Sequence, residues 1–335
     1  MTAASLNKPA DRGHASVTSN RFRSAIRTLF NSSGALTITG FLMAADIVIS
    51  LIGLVIDATV ITGAPAWLKP LKFAISTFLF SLTVAFMIGC LHRTRRFAII
   101  MGRAMAAALV LEIALIDMQA ARHTVSHFNV STRFDAAVFS VMGMGIGVLS
   151  LTTIALFVAT CVEKFQDRSL GWSIRLGLLL AILGMSIGGL MTLPTPEQLA
   201  AAHSGAGLPR VGAHAVGAPD GGPSLPLTGW SADHGDLRIA HFIGLHAMQI
   251  LLLTWWLFSR RRQAATTQRT ALIFVAALSC LSAFATVLWQ ALRGQPLLKP
   301  DAATLATWAL WLLITLVPLI WIPRTNAHPN GGITK

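Results

Sequence analysis

Residues 270–292 read TALIFVAALSCLSAFATVLWQAL, an apolar run without one charged side chain. At ~1.5 Å per residue, a helix of this length crosses the ~30 Å hydrocarbon core of a bilayer. Its apolar residues are continuous rather than alternating, which excludes a transmembrane β-barrel. Working outward in both directions, comparable runs occur at 34–56, 71–91, 97–118, 136–160, 172–193, 238–258 and 303–323. Together they predict an all-α integral membrane protein, a bundle of about eight transmembrane helices occupying 34–323. The composition agrees: the chain is 54% hydrophobic and only 12% charged, about half the charge of an ordinary soluble domain.

The charges are unevenly placed. Arg21, Arg23, Arg27, Arg93, Arg95, Arg96, Lys164, Arg168, Arg260, Arg261, Arg262 and Arg269 fall at one set of span ends. At the other set, the bases are balanced by acids, so nearly all of the formal net charge of +13 belongs to the first face. By the positive-inside rule that face is cytoplasmic, and an even number of spans puts both termini there. The arginines sit in short loops at helix ends, so the lipid bilayer is the expected partner and nucleic acid is not. None of Cys90, Cys161 and Cys280 lies in an outer loop, which leaves no disulfide framework on the oxidising side.

The basic tail 1–33 lacks the apolar core of a secretory signal. Its segment NRFRSAIRTLF sets Phe22, Ile26, Leu29 and Phe30 on one helical face, reading as an interfacial amphipathic helix. The 324–335 tail is short and polar. Most connections are brief, but the outer loop 194–237 is long, rich in Gly and Pro, and without periodicity. Such a loop reads as a cover for a site or as a solvated linker. The pairs Gly143/Gly147 and Gly184/Gly188 have the spacing that lets helix backbones approach in lipid.

Ionisable groups at a bilayer boundary are costly unless used or satisfied, so they mark a site by default. Two segments carry them. GWSADHGDLRIAHFIGLHAMQ (229–249) places Asp236, Arg238, His241, His246 and Gln249 at the mouth of the sixth span. Asp236 suits the helix N-cap. His241 and His246 lie about 140° apart around a regular helix, too far to ligate one ion together. The second segment, DMQAARHTVSHFN, ends the third span. A helix carried through it places Glu112, Gln119, His123 and His127 within an arc of about 80°, a polar stripe reaching the outer surface. A His pair at i, i+4 suits a shared metal ion, and a single His suits an axial haem ligand.

The leading expectation is therefore an outward-facing haem b or transition-metal site with a redox role. Its ligands would be drawn from His123, His127, His241 and His246. Arg122 and Arg238 would hold propionates or an anionic substrate, and Glu112, Gln119, Asp236 and Gln249 would support them. The rival is a small-molecule transporter or solute-binding protein using the same vestibule, with Lys69 and Lys72 available to neutralise an anion at the outer mouth. A third reading makes the cluster structural. The two deeper acids, Asp46 and Glu112, read as interhelical hydrogen-bonding groups, or with Asp57 and Asp117 as a proton route. No HExxH helix, GxSxG elbow, Walker loop, CxxC or CxxCH is present, so covalent haem and nucleotide-driven transport lack support.

GWSADHGDLRIAHFIGLHAMQ, VGAPDGGPSLPLTGW and RHTVSHFN together resemble a family of uncharacterised bacterial inner-membrane proteins. That resemblance implies bacterial inner-membrane origin and no particular activity. A looser likeness, in span count and histidine placement only, is to eight-span haem enzymes such as haem A synthase.

Overall fold

The computed structural model describes residues 12–205, 207–260 and 265–322, with side chains from residue 23 onward. The side chains of Arg21 and Phe22, together with Arg261, Arg262 and the 324–335 tail, lie outside the described parts. The helices are α1 (Arg12–Ile56), α2 (Leu68–Gly89), α3 (Arg95–Ala121), α4 (Arg133–Cys161), α5 (Arg168–Met191), α6 (Pro196–His203), α7 (Leu237–Ser259), α8 (Thr266–Leu292) and α9 (Ala302–Trp321). Eight of them, all but α6, are long and apolar enough to cross a membrane. The chain is thus an all-α, membrane-type bundle.

The spans begin where the sequence supplies caps. Thr132 accepts from the Asp135 N–H at the start of α4, Asp167 from Ser169 and Leu170 in α5, Asp236 from Arg238 in α7, and Asp301 from Thr304 in α9. Each oxygen satisfies a backbone donor that the helix cannot. The helix α1 is two helices joined at Ser33, whose φ of −156° and ψ of 94° are extended.

Two glycine contacts set the central packing. A Cβ on Gly184 of α5 would lie 2.6 Å from the Leu245 nitrogen of α7, and one on Gly244 would lie 2.5 Å from the Gly184 Cα. The backbones of α5 and α7 therefore touch, as small residues in lipid permit. Gly143 and Gly147 do not act this way: a Cβ at either would meet nothing within 4 Å. That pair lies on the lipid-facing side of α4, where Met144, Leu151 and Val158 are also exposed. α9 is peripheral, tied to α8 by the Trp311 indole donating to the Ser279 carbonyl at 3.1 Å.

The two ends of the bundle differ. At the arginine-rich end, buried Glu163 accepts from the Arg93 and Thr94 backbone N–H groups, and Arg175 donates to the carbonyls of Thr160 and Glu163. At the opposite end, loops fold together into a cap. The 194–237 segment, which lacks periodicity in sequence, contains α6 with a Thr195–Gln198 capping box. It also contains the strands β3 (Ala215–Val216) and β4 (Gly235–Asp236), which pair with each other. A second hairpin joins β1 (Val60–Ile61) to β2 (Ala64–Pro65). Phe128, Ile187, Met191, Leu237, Phe284 and Val287 form an apolar floor beneath the cap.

Candidate functional site

The capped end of the bundle gathers most of the ionisable residues singled out above. Asp236 is buried and caps α7; it also accepts from the Ser231 N–H at 2.7 Å and from the Arg238 guanidinium at 2.9 Å through Nε and 2.6 Å through Nη2. The same Nη2 donates to the Gly229 carbonyl at 2.7 Å. The segment thus closes on itself, and Gly235 is required within it, because a Cβ there would sit 2.0 Å from the Ala291 carbonyl oxygen.

The polar stripe takes a different form from the expected helix. α3 ends at Ala121, and His123 takes a left-handed φ of 54°. His123 then turns away and pairs with Asp57 at 3.2 Å, its side chain more than half exposed. Gln119 and Arg122 both bind Asp135, at 3.0 and 2.8 Å, and Arg122 also donates to the Gln119 carbonyl oxygen. These three groups brace the α3–α4 turn. The loop then folds back, so that His127 meets Glu112 after all, Nε2 to Oε1 at 3.4 Å.

His127 is the centre of the site. Lys69, in the first turn of α2, places Nζ 3.0 Å from His127 Nδ1. The Ser126 hydroxyl also lies 3.1 Å from Nδ1. With Lys69 as an ammonium, which has only donors, Nδ1 accepts and the ring proton sits on Nε2, facing Glu112. Burial holds the His127 pKa well below its usual value, and the Lys69 charge reinforces that direction. The ring lies among Phe73 and Phe128. Phe128 holds a left-handed φ of 65° and is fixed by Val211 N–H donating to its carbonyl at 2.9 Å. His214 meets Phe128 edge to face, and its Nδ1 lies 2.6 Å from Asp220 Oδ2. Burial lowers the His214 pKa despite the opposing pull of Asp220.

On α7, His241 Nδ1 donates to the Gly184 carbonyl at 2.7 Å, so that in the neutral ring the lone pair is on Nε2. His246 faces Ser76 at 3.3 Å and packs its ring on Phe242. The two histidines do serve different neighbours. Gln249, one turn further, is a side-chain neighbour of His246, and the buried Glu112 carboxylate has no contact closer than the 3.4 Å one with His127 among the described residues.

The positive charge at this end is incompletely matched. Arg238 is committed to Asp236. Lys72 donates to the Thr228 carbonyl of the cap, and neither it nor Lys69 makes an ion pair with a carboxylate among the described residues.

Lys69 and Lys72, read from the sequence as cations at the outer mouth, share one face of α2 with Ser76, since the three recur at offsets of three and four. Ser76, His214 and Asp220 were not among the residues first chosen, although that spacing was a usable signal for Ser76. His214 and Asp220 had none, since only the folded loop brings them to Phe128.

No three His, Cys, Asp or Glu side chains gather as a metal site among the described residues. His123, His127, His241 and His246 accordingly do not assemble into one ligand set. Arg122 and Arg238 are already paired with aspartates, which weighs against their holding haem propionates. The chain matches no family model, no curated protein and no solved structure.

Proposed function

We propose that this protein binds a small anionic solute, bearing a carboxylate or phosphate, at the capped end of its membrane bundle. The solute-binding or transport class is supported by one observation above all: Lys69 and Lys72 stand half-buried near each other, and among the described residues neither has a carboxylate within ion-pair distance. Cations held out of water need an anion, and a ligand supplies one. Gln249 and Ser76 offer neutral hydrogen bonds, and the Glu112–His127 pair offers a proton exchanger beside the lysines. Because Lys72 holds the Thr228 carbonyl, entry of an anion would exchange that cap contact for a stronger charge-assisted one. Titration of detergent-purified protein with succinate and with inorganic phosphate tests the reading by thermal shift. A saturable stabilisation, lost in Lys69→Ala and Lys72→Ala, is expected; no saturable response to any small anion would overturn it.

A second reading rests on His241 alone. Its Nδ1–H is anchored on a backbone carbonyl and its Nε2 lone pair is free, the arrangement that orients metal-ligating histidines. Haem b with a single axial His241 and an electron-transfer role is the form that reading takes. A Soret band in purified protein that disappears in His241→Ala would establish it, and a spectrum without one would remove it. For localisation, we propose a bacterial inner membrane with the arginine-rich end in the cytoplasm, on the charge asymmetry of the loops.

A further inference from the structure

From the cap, a line of three polar side chains leads into the bundle. Lys69 Nζ stands 3.0 Å from His127 Nδ1, and His127 Nε2 stands 3.4 Å from Glu112 Oε1. They come from α2, the α3–α4 loop and α3. Glu112 is 3% exposed, and among the described residues its carboxylate has no nearer partner than His127. It lies nine residues before α3 ends at Ala121, about 14 Å along the helix axis. An acid held there by one imidazole is costly in lipid surroundings, and such acids commonly carry protons.

Without a solute this line is electrically balanced. The Lys69 ammonium offsets the Glu112 carboxylate across an imidazole that burial keeps neutral. The neighbouring charges are paired among themselves, Arg238 with Asp236 and Asp220 with His214. His241, also facing His127, gives its Nδ1–H to the Gly184 carbonyl. Asp46 and Asp117 are side-chain neighbours of each other, and Asp117 lies about 140° from Glu112 around α3. Lys72, one turn along α2 from Lys69, holds only the Thr228 carbonyl. A dianion engaging both lysines upsets the balance. It draws the Lys69 ammonium away from Nδ1 and leaves Glu112 a buried carboxylate without a counter-charge. Nδ1 is thereby opened to a proton, and the Ser126 hydroxyl, 3.1 Å away, can accept the new N–H.

We propose that binding of a dianion across Lys69 and Lys72 is coupled to uptake of one proton, carried by Glu112 and delivered through His127. The inference rests on the anion-binding reading above. In the step, a proton from water at the cap forms Nδ1–H, the Nε2–H bond breaks, and an O–H bond forms at Glu112 Oε1. The imidazole ends neutral in its other tautomer, and the incoming proton cancels the Glu112 charge. Lys69 closes this route while the site is empty. The full chain in detergent is titrated calorimetrically with succinate and with inorganic phosphate, both dianions at about pH 8. Two buffers of different ionisation enthalpy then count the protons. Wild type should take up close to one proton per anion, and its affinity should weaken about tenfold per pH unit above neutrality. Glu112→Gln should bind with no uptake and with an affinity level over the same interval. His127→Gln should keep the count but slow the uptake seen by a pH-indicator dye after rapid mixing; an unslowed rate removes His127 from the route. In wild type, an infrared difference band of a newly protonated carboxyl group should accompany binding, and its absence overturns the coupling even if Glu112→Gln fails to fold. Binding without proton uptake, or uptake retained in Glu112→Gln, overturns the coupling and leaves the anion reading standing. No saturable binding of either anion overturns both.

Discussion

At the scale of single residues, His127 and His214 set the acid response of the cap. Both are held neutral by burial, so the unfolded chain takes up their protons first. Stability contributed this way is complete above the ordinary histidine value of 6.5 and is lost as pH falls below it. The melting temperature in detergent should therefore be level above about pH 7 and decline toward pH 5. His127→Gln should remove part of that slope, and a melting temperature unchanged across the interval would contradict the assignment. Asp57 behaves oppositely: hydrogen bonds from Thr59 and Trp67 lower its pKa to about 2. Its contribution is present above about pH 4 and disappears only in stronger acid.

The aspartates also separate by burial. Asp236 is 1% exposed and binds a guanidinium, whereas the Arg293–Asp301 pair is open to solvent. Asp236→Ala should cost about 3 kcal/mol, because it leaves Arg238 unpaired and α7 uncapped. Removing the Arg293 charge should cost under about 1 kcal/mol. Chemical or thermal unfolding of the two variants gives the comparison.

Among elements, the α5–α7 contact is the joint on which the site depends. Gly184→Val must push the helices apart, since its Cβ already falls 2.6 Å from the Leu245 nitrogen. A loss of about 1–3 kcal/mol is expected from such overpacking, together with loss of the His241–Gly184 hydrogen bond. Gly147→Val on α4 should be close to neutral, because nothing stands in its way. Equal sensitivity of the two positions would show that the helix packing differs from that described.

For the whole molecule, the decisive property is its polarity from end to end. One end is braced by arginines around Glu163; the other is closed by loops tied to one another, with the Lys69–His127 contact among them. Lys299 of the α8–α9 connection reaches Asp233 at 2.8 Å, and Val130 N–H donates to the Pro209 carbonyl at 3.0 Å, tying distant loops together. Reporter fusions at residues 164 and 205 should respond in opposite compartments, with 164 cytoplasmic. The reverse result, or the same result at both, would refute the proposed orientation.

Residues 270–292 and their counterparts determined the spans unaided, because apolar length against bilayer thickness is a local property. The Asp236 cap was equally legible, being a matter of one carboxylate beside one helix start. The stripe Glu112–Gln119–His123–His127 was not, since α3 stops at Ala121 and a left-handed turn redirects the chain. Gln119 and His123 went to Asp135 and Asp57, and His127 returned to Glu112 by a route no helical period describes. The sequence by itself thus decided which residues are too polar for lipid and at which end they lie. Tertiary structure alone decided which of them meet, because those contacts join α2, α3, α5, α7 and a long loop. Their partners are chosen by packing across the bundle, where spacing along the chain carries no information.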